Sequence, residues 1–117
     1  MDVRLEQALQ TSKFRYTLSL EKRRLQEKLK SDLTFSFNGG QFFIDRNFIV
    51  FLNLLTPEEG KLSTTILDDN LNPIYVEDIA ELQKNVLATY TRIVNQYQVD
   101  FEGLRKKRSV EALLSND

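Results

Sequence analysis

The chain has 117 residues, 28% of them charged, a formal net charge of −1, and neither cysteine nor histidine. Without those two residue types it forms no disulfide, no thiolate or imidazole metal site, and no Ser-His or Cys-His nucleophile pair. The balanced charge withholds the basic excess that marks a nucleic-acid binder. The longest apolar run, Phe48–Leu55, is interrupted by Asn53 and falls well short of the ~20 residues that cross a bilayer.

One domain with a modest core suits this length. Residues 3 to 30 read as a helix, rich in Leu, Glu, Gln, Lys and Arg and free of Gly and Pro. Its apolar residues fall into two stripes. Leu5, Leu9, Tyr16 and Leu20 lie on one side, and Val3, Phe14, Leu18, Leu25 and Leu29 lie nearly opposite. Either this helix sits between the last helix and the central sheet, or one stripe meets another subunit. A hairpin of two helices covers only one side.

Ser31-Asp32 ends the helix, and Leu33 to Phe37 alternates at period two, as a half-buried strand does. Asn38-Gly39-Gly40 is a hairpin signal, because a type I′ turn needs positive φ. Gln41 to Ile44 returns as the second strand. A turn at Asn38-Gly39 and one at Gly39-Gly40 both keep Phe35, Phe37, Phe42 and Ile44 on one face. No Gly-Lys-Ser/Thr follows the glycines, so a turn is preferred to a phosphate-cradling loop. Residues 46–55 predict a short helix, with Asp45 as cap and Phe48, Phe51, Leu52 and Leu55 at helical spacing. Their Phe, Ile and Val content also suits a buried strand.

Residues 56–60 are a loop, and 61–67 are β-branched and strand-like. Asp68 to Pro73 is turn chemistry, and Ile74 to Val76 returns to complete a second hairpin. Asp68, Asn70 and Asn72 imitate the opening ligands of an EF-hand loop. Pro73 stands where that loop needs glycine and Ile79 where it needs glutamate, so a plain turn is preferred.

Residues 76–108 predict a long helix of about 33 residues, close to 50 Å. Ile79, Leu82, Val86, Tyr90, Ile93, Tyr97, Phe101 and Leu104 fall within a sector of about 100°, one core-facing stripe. The spacing repeats at 11 residues, so a partner helix lies alongside almost straight. Glu77, Asp78 and Glu81 suit the positive end of this helix, and Arg105 to Arg108 suit its negative end. Val110, Leu113 and Leu114 point away from the stripe, so direction is expected to break after Ser109. Residues 109–117 then read as a frayed tail or a short docking element.

The expected fold is α+β. Two long antiparallel helices, at the amino and carboxyl ends, bracket a small antiparallel sheet of two β-hairpins with a short helix between them. In that arrangement Lys22, Arg23, Arg24, Lys28 and Lys30 meet Glu77, Asp78 and Glu81, while Asp2 and Glu6 meet Arg105 to Arg108.

For chemistry, the carboxylates Asp45, Asp68, Asp69, Glu77, Asp78 and Glu81 are all accounted for by a cap, a turn and a helix start. No catalytic residue, cofactor or metal is expected. Tyr16, Tyr90, Tyr97 and Phe101 suit packing better than base stacking. The residues left over are apolar. Leu5, Leu9, Tyr16 and Leu20 form the expected contact stripe, with Val110, Leu113 and Leu114 as a docking tail, which points to a non-enzymatic interaction protein. The alternative is a nucleic-acid-binding or transcription-modulating factor using Lys22, Arg23, Arg24, Lys28 and Lys30.

Three segments carry a resemblance: Phe37 to Asp45 (FNGGQFFID), Ile66 to Ile74 (ILDDNLNPI) with Val76 to Ile79, and Leu104 to Val110 (LRKKRSV). Together they look like a short protein family encoded by T4-like tailed phages, particularly those of marine cyanobacteria. The resemblance implies a late-gene, assembly or virion-associated role. The partners would be further copies of the chain or another phage protein. The place would be the host cytoplasm or the virion, neither secreted nor in a membrane, and nucleic acid is not the expected partner.

Overall fold

The computed structural model describes the backbone of residues 2–115 and the side chains of residues 2–110. The element order is α1 (Val3–Asp32), β1 (Thr34–Phe37), β2 (Gly40–Phe43), α2 (Arg46–Leu55), β3 (Thr64–Leu67), β4 (Pro73–Val76) and α3 (Ile79–Ser115). This is the expected α+β arrangement, long helices bracketing two hairpins and a short helix. The chain divides into two compact units, Leu29–Val94 and the pair of segments Met1–Lys28 and Asn95–Asp117.

The unit of residues 29–94 holds the main core. Phe42, Ile44, Leu52, Val76, Ile79 and Val86 are fully buried there, drawn from β2 and the residue after it, α2, β4 and α3. β1 and β2 pair antiparallel with Phe35 opposite Phe42 and Phe37 opposite Gly40. That register selects Asn38-Gly39 as the turn, with φ of 48° and 81°, the type I′ signature. Phe35, Phe37, Phe42 and Ile44 all face or border the core, as the alternation requires. The second glycine has another task. A Cβ on Gly40 would lie 2.6 Å from Ile74 Cγ1, so only hydrogen fits where β2 passes beneath β4.

Residues 46–55 are helical. The Asp45 carboxylate accepts from Phe48 N at 2.8 Å, which satisfies an orphan amide at the helix start and favours helix over strand. The inward face differs from the expected one. Phe48, Ile49, Leu52 and Leu55 border the core, and Phe51 is turned outward. Every position in this helix except Arg46, Asn47 and Asn53 is apolar, so the spacing did not single out one side.

β3 and β4 pair through Thr65–Tyr75 and Ile66–Ile74. Each hairpin is its own two-stranded sheet. Their ends are joined by Asp69 N donating to Gln41 O at 2.9 Å and by Asn38 Nδ2 donating to Tyr75 O at 3.0 Å. Asp78 starts α3 by accepting from Ala80 N at 3.1 Å, so Val76 belongs to β4 and not to the helix. The long stripe on α3 behaves as predicted. Ile79, Leu82, Val86, Ile93 and Leu104 are buried, and Tyr90, Tyr97 and Phe101 are half-buried. α3 continues through Ser109 to Ser115, without the break expected there.

In the unit of the two end segments, the opposed helices meet through Lys107 Nζ, 3.1 Å from Glu21 Oε2, and Lys22 Nζ, 5.9 Å from the Phe101 ring centre. Among the described residues, Asp2 and Glu6 make no ion pair with Arg105 to Arg108. Glu21, not Asp2 or Glu6, takes Lys107. Glu77 takes Lys61 at 3.1 Å, and Asp2 caps Arg4 N at 3.0 Å. Exposed pairs are each worth at most about 1 kcal/mol, too little to set the register of two helices. Apolar burial sets it, at Leu18 and Leu104.

Replacing Gly40 with alanine is expected to lower stability by about 1–3 kcal/mol, because Ile74 must move or β4 must lift. Denaturant unfolding of Gly40→Ala against wild type checks it.

Candidate functional site

The two stripes of α1 differ in exposure. On one side Leu18 is buried, and Phe14, Leu25 and Leu29 are half-buried. On the other, Leu5, Leu9 and Tyr16 are 53%, 44% and 71% exposed, and Leu20 is half-buried. Val3, assigned to the covered side, is exposed as well, since it lies at the helix's first turn. Residues 2–10 are exposed throughout. Single apolar side chains on a surface are ordinary, and here three of them recur at helical spacing.

Val110 is exposed on α3. Leu113 and Leu114 lie outside the residues whose side chains are described, although α3 includes them. Lys22 is half-buried over Phe101, whereas Arg23, Arg24, Lys28 and Lys30 are exposed. At about 100° per residue these five point round the whole circumference of α1, with Glu21 and Glu27 among them. A phosphate-binding stripe needs one face. They do not supply one.

A second apolar surface went unnoticed in the sequence. Val50, Phe51 and Leu54 form the outer face of α2, and Leu54 is 80% exposed. The signal was present, since a helix apolar on all sides needs cover on all sides. Its uniformity hid which side was which. Leu67 and Tyr75 likewise stand on the outward face of the second hairpin, and Leu71 projects from its turn at a φ of 62°.

Asp68, Lys61, Glu77 and Asp78 are engaged in structure. Asp68 is 5% exposed, and its carboxylate collects four donors. Oδ1 accepts from Asn70 N at 3.0 Å and Asn72 N at 2.8 Å. Oδ2 accepts from Gln41 N at 3.1 Å and Asn72 Nδ2 at 3.3 Å. Burial pushes this carboxyl's pKa up, but the backbone amides of Asn72 and Gln41, with the Asn72 side chain and Asn70 N, outweigh it and hold it below its ordinary 3.8. The hydrogen bond from Lys61 to Glu77, and the charge of that carboxylate, push the lysine up. Lys61, Glu77, Asp78 and Glu81 line a shallow depression with Asn38 and Asn85. Asp78 is committed to its cap and Glu77 to Lys61, which leaves no convergent pair poised for acid–base work. Among the described residues no group of three or more carboxylates could hold a metal ion. Nor is any described helix long and apolar enough to cross a membrane.

No family model, curated protein or solved structure matches the chain.

The low pKa of Asp68 sets a pH dependence. Its folded value lies below its unfolded one, so its contribution is complete above the unfolded pKa and is lost as pH falls through the folded value. Thermal melts from pH 7 down to pH 2 are expected to show an acid limb that flattens in Asp68→Asn. That variant should also melt lower at pH 7, because an amide NH₂ would face donors.

Proposed function

We propose that the chain is a non-enzymatic protein–protein interaction module, a structural or assembly factor of a tailed phage that self-associates through amphipathic helices. The observation that supports this reading is the row Leu5, Leu9 and Tyr16, left in water while Phe14, Leu18 and Leu25 of the other stripe, further along the same helix, are covered. Burying one such side chain contributes about 1.5–3 kcal/mol, so three together can offset much of the entropy lost on association. Docking this row on a like surface gives it the cover that the described residues do not provide. The outer face of α2 offers a second, separate contact, as an assembly factor with more than one neighbour requires. The phage setting rests on the likeness of the two turns and the basic helix segment to that family. The alternative, nucleic-acid binding through Lys22, Arg23, Arg24, Lys28 and Lys30, has the weaker support, because these side chains encircle α1.

Light scattering and sedimentation of the wild-type chain at high micromolar concentration should give a species larger than a monomer. Leu9→Glu and Tyr16→Glu should each weaken it at least tenfold, equivalent to ~1.4 kcal/mol or more, with the helical circular dichroism retained. A monomer throughout that range overturns self-association. Salt-dependent retention on DNA or RNA, abolished when the five basic residues are neutralised, would establish the alternative instead.

A further inference from the structure

We infer that the occupant of the exposed α1 stripe is the α1 of a second copy, laid antiparallel across a two-fold axis near Gln10 and Thr11. This deepens the self-association reading and rests on it. Leu5, Leu9, Ser12 and Tyr16 share an arc of about 60° at 100° per residue, all exposed. In the antiparallel pairing centred there, Leu5 packs against the partner's Tyr16 and Leu9 against the partner's Ser12, and the symmetry repeats both contacts. Ser12 is the small side chain in the row, and it lies where the facing leucine needs room.

Charge selects this orientation. Glu6 and Lys13 lie on one flank of the stripe, some 80–100° round from Leu5, and both are exposed. Neither has an ion pair among the described residues. Flanking positions of one kind meet their own kind in an antiparallel helix pair, so Glu6 meets the partner's Lys13, and Lys13 the partner's Glu6. A parallel, in-register pair would set Lys13 beside the uncharged Ala8 and lose both contacts. It would also bring the Lys22 positions towards Glu27, but Lys22 is held over Phe101. A two-fold contact closes on itself, so this surface makes a dimer and no larger assembly.

The chain contains no cysteine, so introduced thiols report contacts cleanly. Two variants, Leu9→Cys and Ser12→Cys, are prepared separately with different tags, mixed, and oxidised mildly. The expected product is the mixed disulfide, with little self-crosslinking of either variant alone. In parallel, Glu6→Lys and Lys13→Glu each weaken the dimer about tenfold, and the double swap in one chain restores it to near wild type. Crosslinking of each variant chiefly with itself shows a parallel pair and overturns the inference, while self-association stands. A dimer by mass that gives no crosslink, or a double swap that fails to restore it, likewise places the contact elsewhere and overturns it. A monomer by light scattering removes the inference and the underlying reading together.

Discussion

The unit of residues 29–94 depends on one carboxylate. Asp68 ties together two hairpins that share no sheet: its oxygens bind the backbone of its own turn at Asn70 and Asn72, and the backbone of the other hairpin at Gln41. A two-stranded hairpin alone is marginal in water. Here each is held by what lies beneath it and by this polar link at its end. The neighbouring bond from Asp69 N to Gln41 O runs in parallel with it. A buried charge would ordinarily be costly, and four donors make it acceptable. The same bonds hold Leu71 at positive φ, a conformation that disfavours a branched hydrocarbon side chain.

The contrast between the chain's two units follows from how each obtains cover. In residues 29–94 every element contributes to a common apolar centre, and the side chains of Asn38, Asp45, Asp68 and Asp78 are hydrogen-bonded. In the segments 1–28 and 95–117, Leu18 and Leu104 are buried, but the rest of the apolar surface on α1 has no equivalent centre. Two opposed helices have two flanks each, and only the facing flanks are covered. Among the described residues of this unit, the unburied row on α1 follows from two helices that cover only their facing flanks.

Much of the architecture was legible because local chemistry determined it. Asn38-Gly39 fixes a tight turn whose alternating neighbours must share a face, and Asp45 and Asp78 mark helix starts by offering an oxygen to free amides. The α3 stripe was legible because its apolar positions recur at one period over many turns. The errors came where the signal had no direction. In α2 the apolar residues occur all round, so Ile49 and Phe51 could not be told apart. The charged residues of α1 and α3 are long and exposed, so many registers satisfy them nearly equally, and the pairing through Glu21 could not be picked out. The exposure of Leu5, Leu9 and Tyr16 was legible only as an alternative, since it depends on what the remainder of the chain fails to reach.

The division of the chain also carries a consequence for its synthesis. The amino-terminal segment of the helical pair leaves the ribosome first, and its intramolecular counterpart begins only at Asn95, after the whole of residues 29–94 has been made. At about 5–20 residues per second that interval is of the order of several seconds. Throughout it Leu18 lacks its eventual cover, and a nascent chain on an adjacent ribosome of the same message presents the same greasy helix at the same moment.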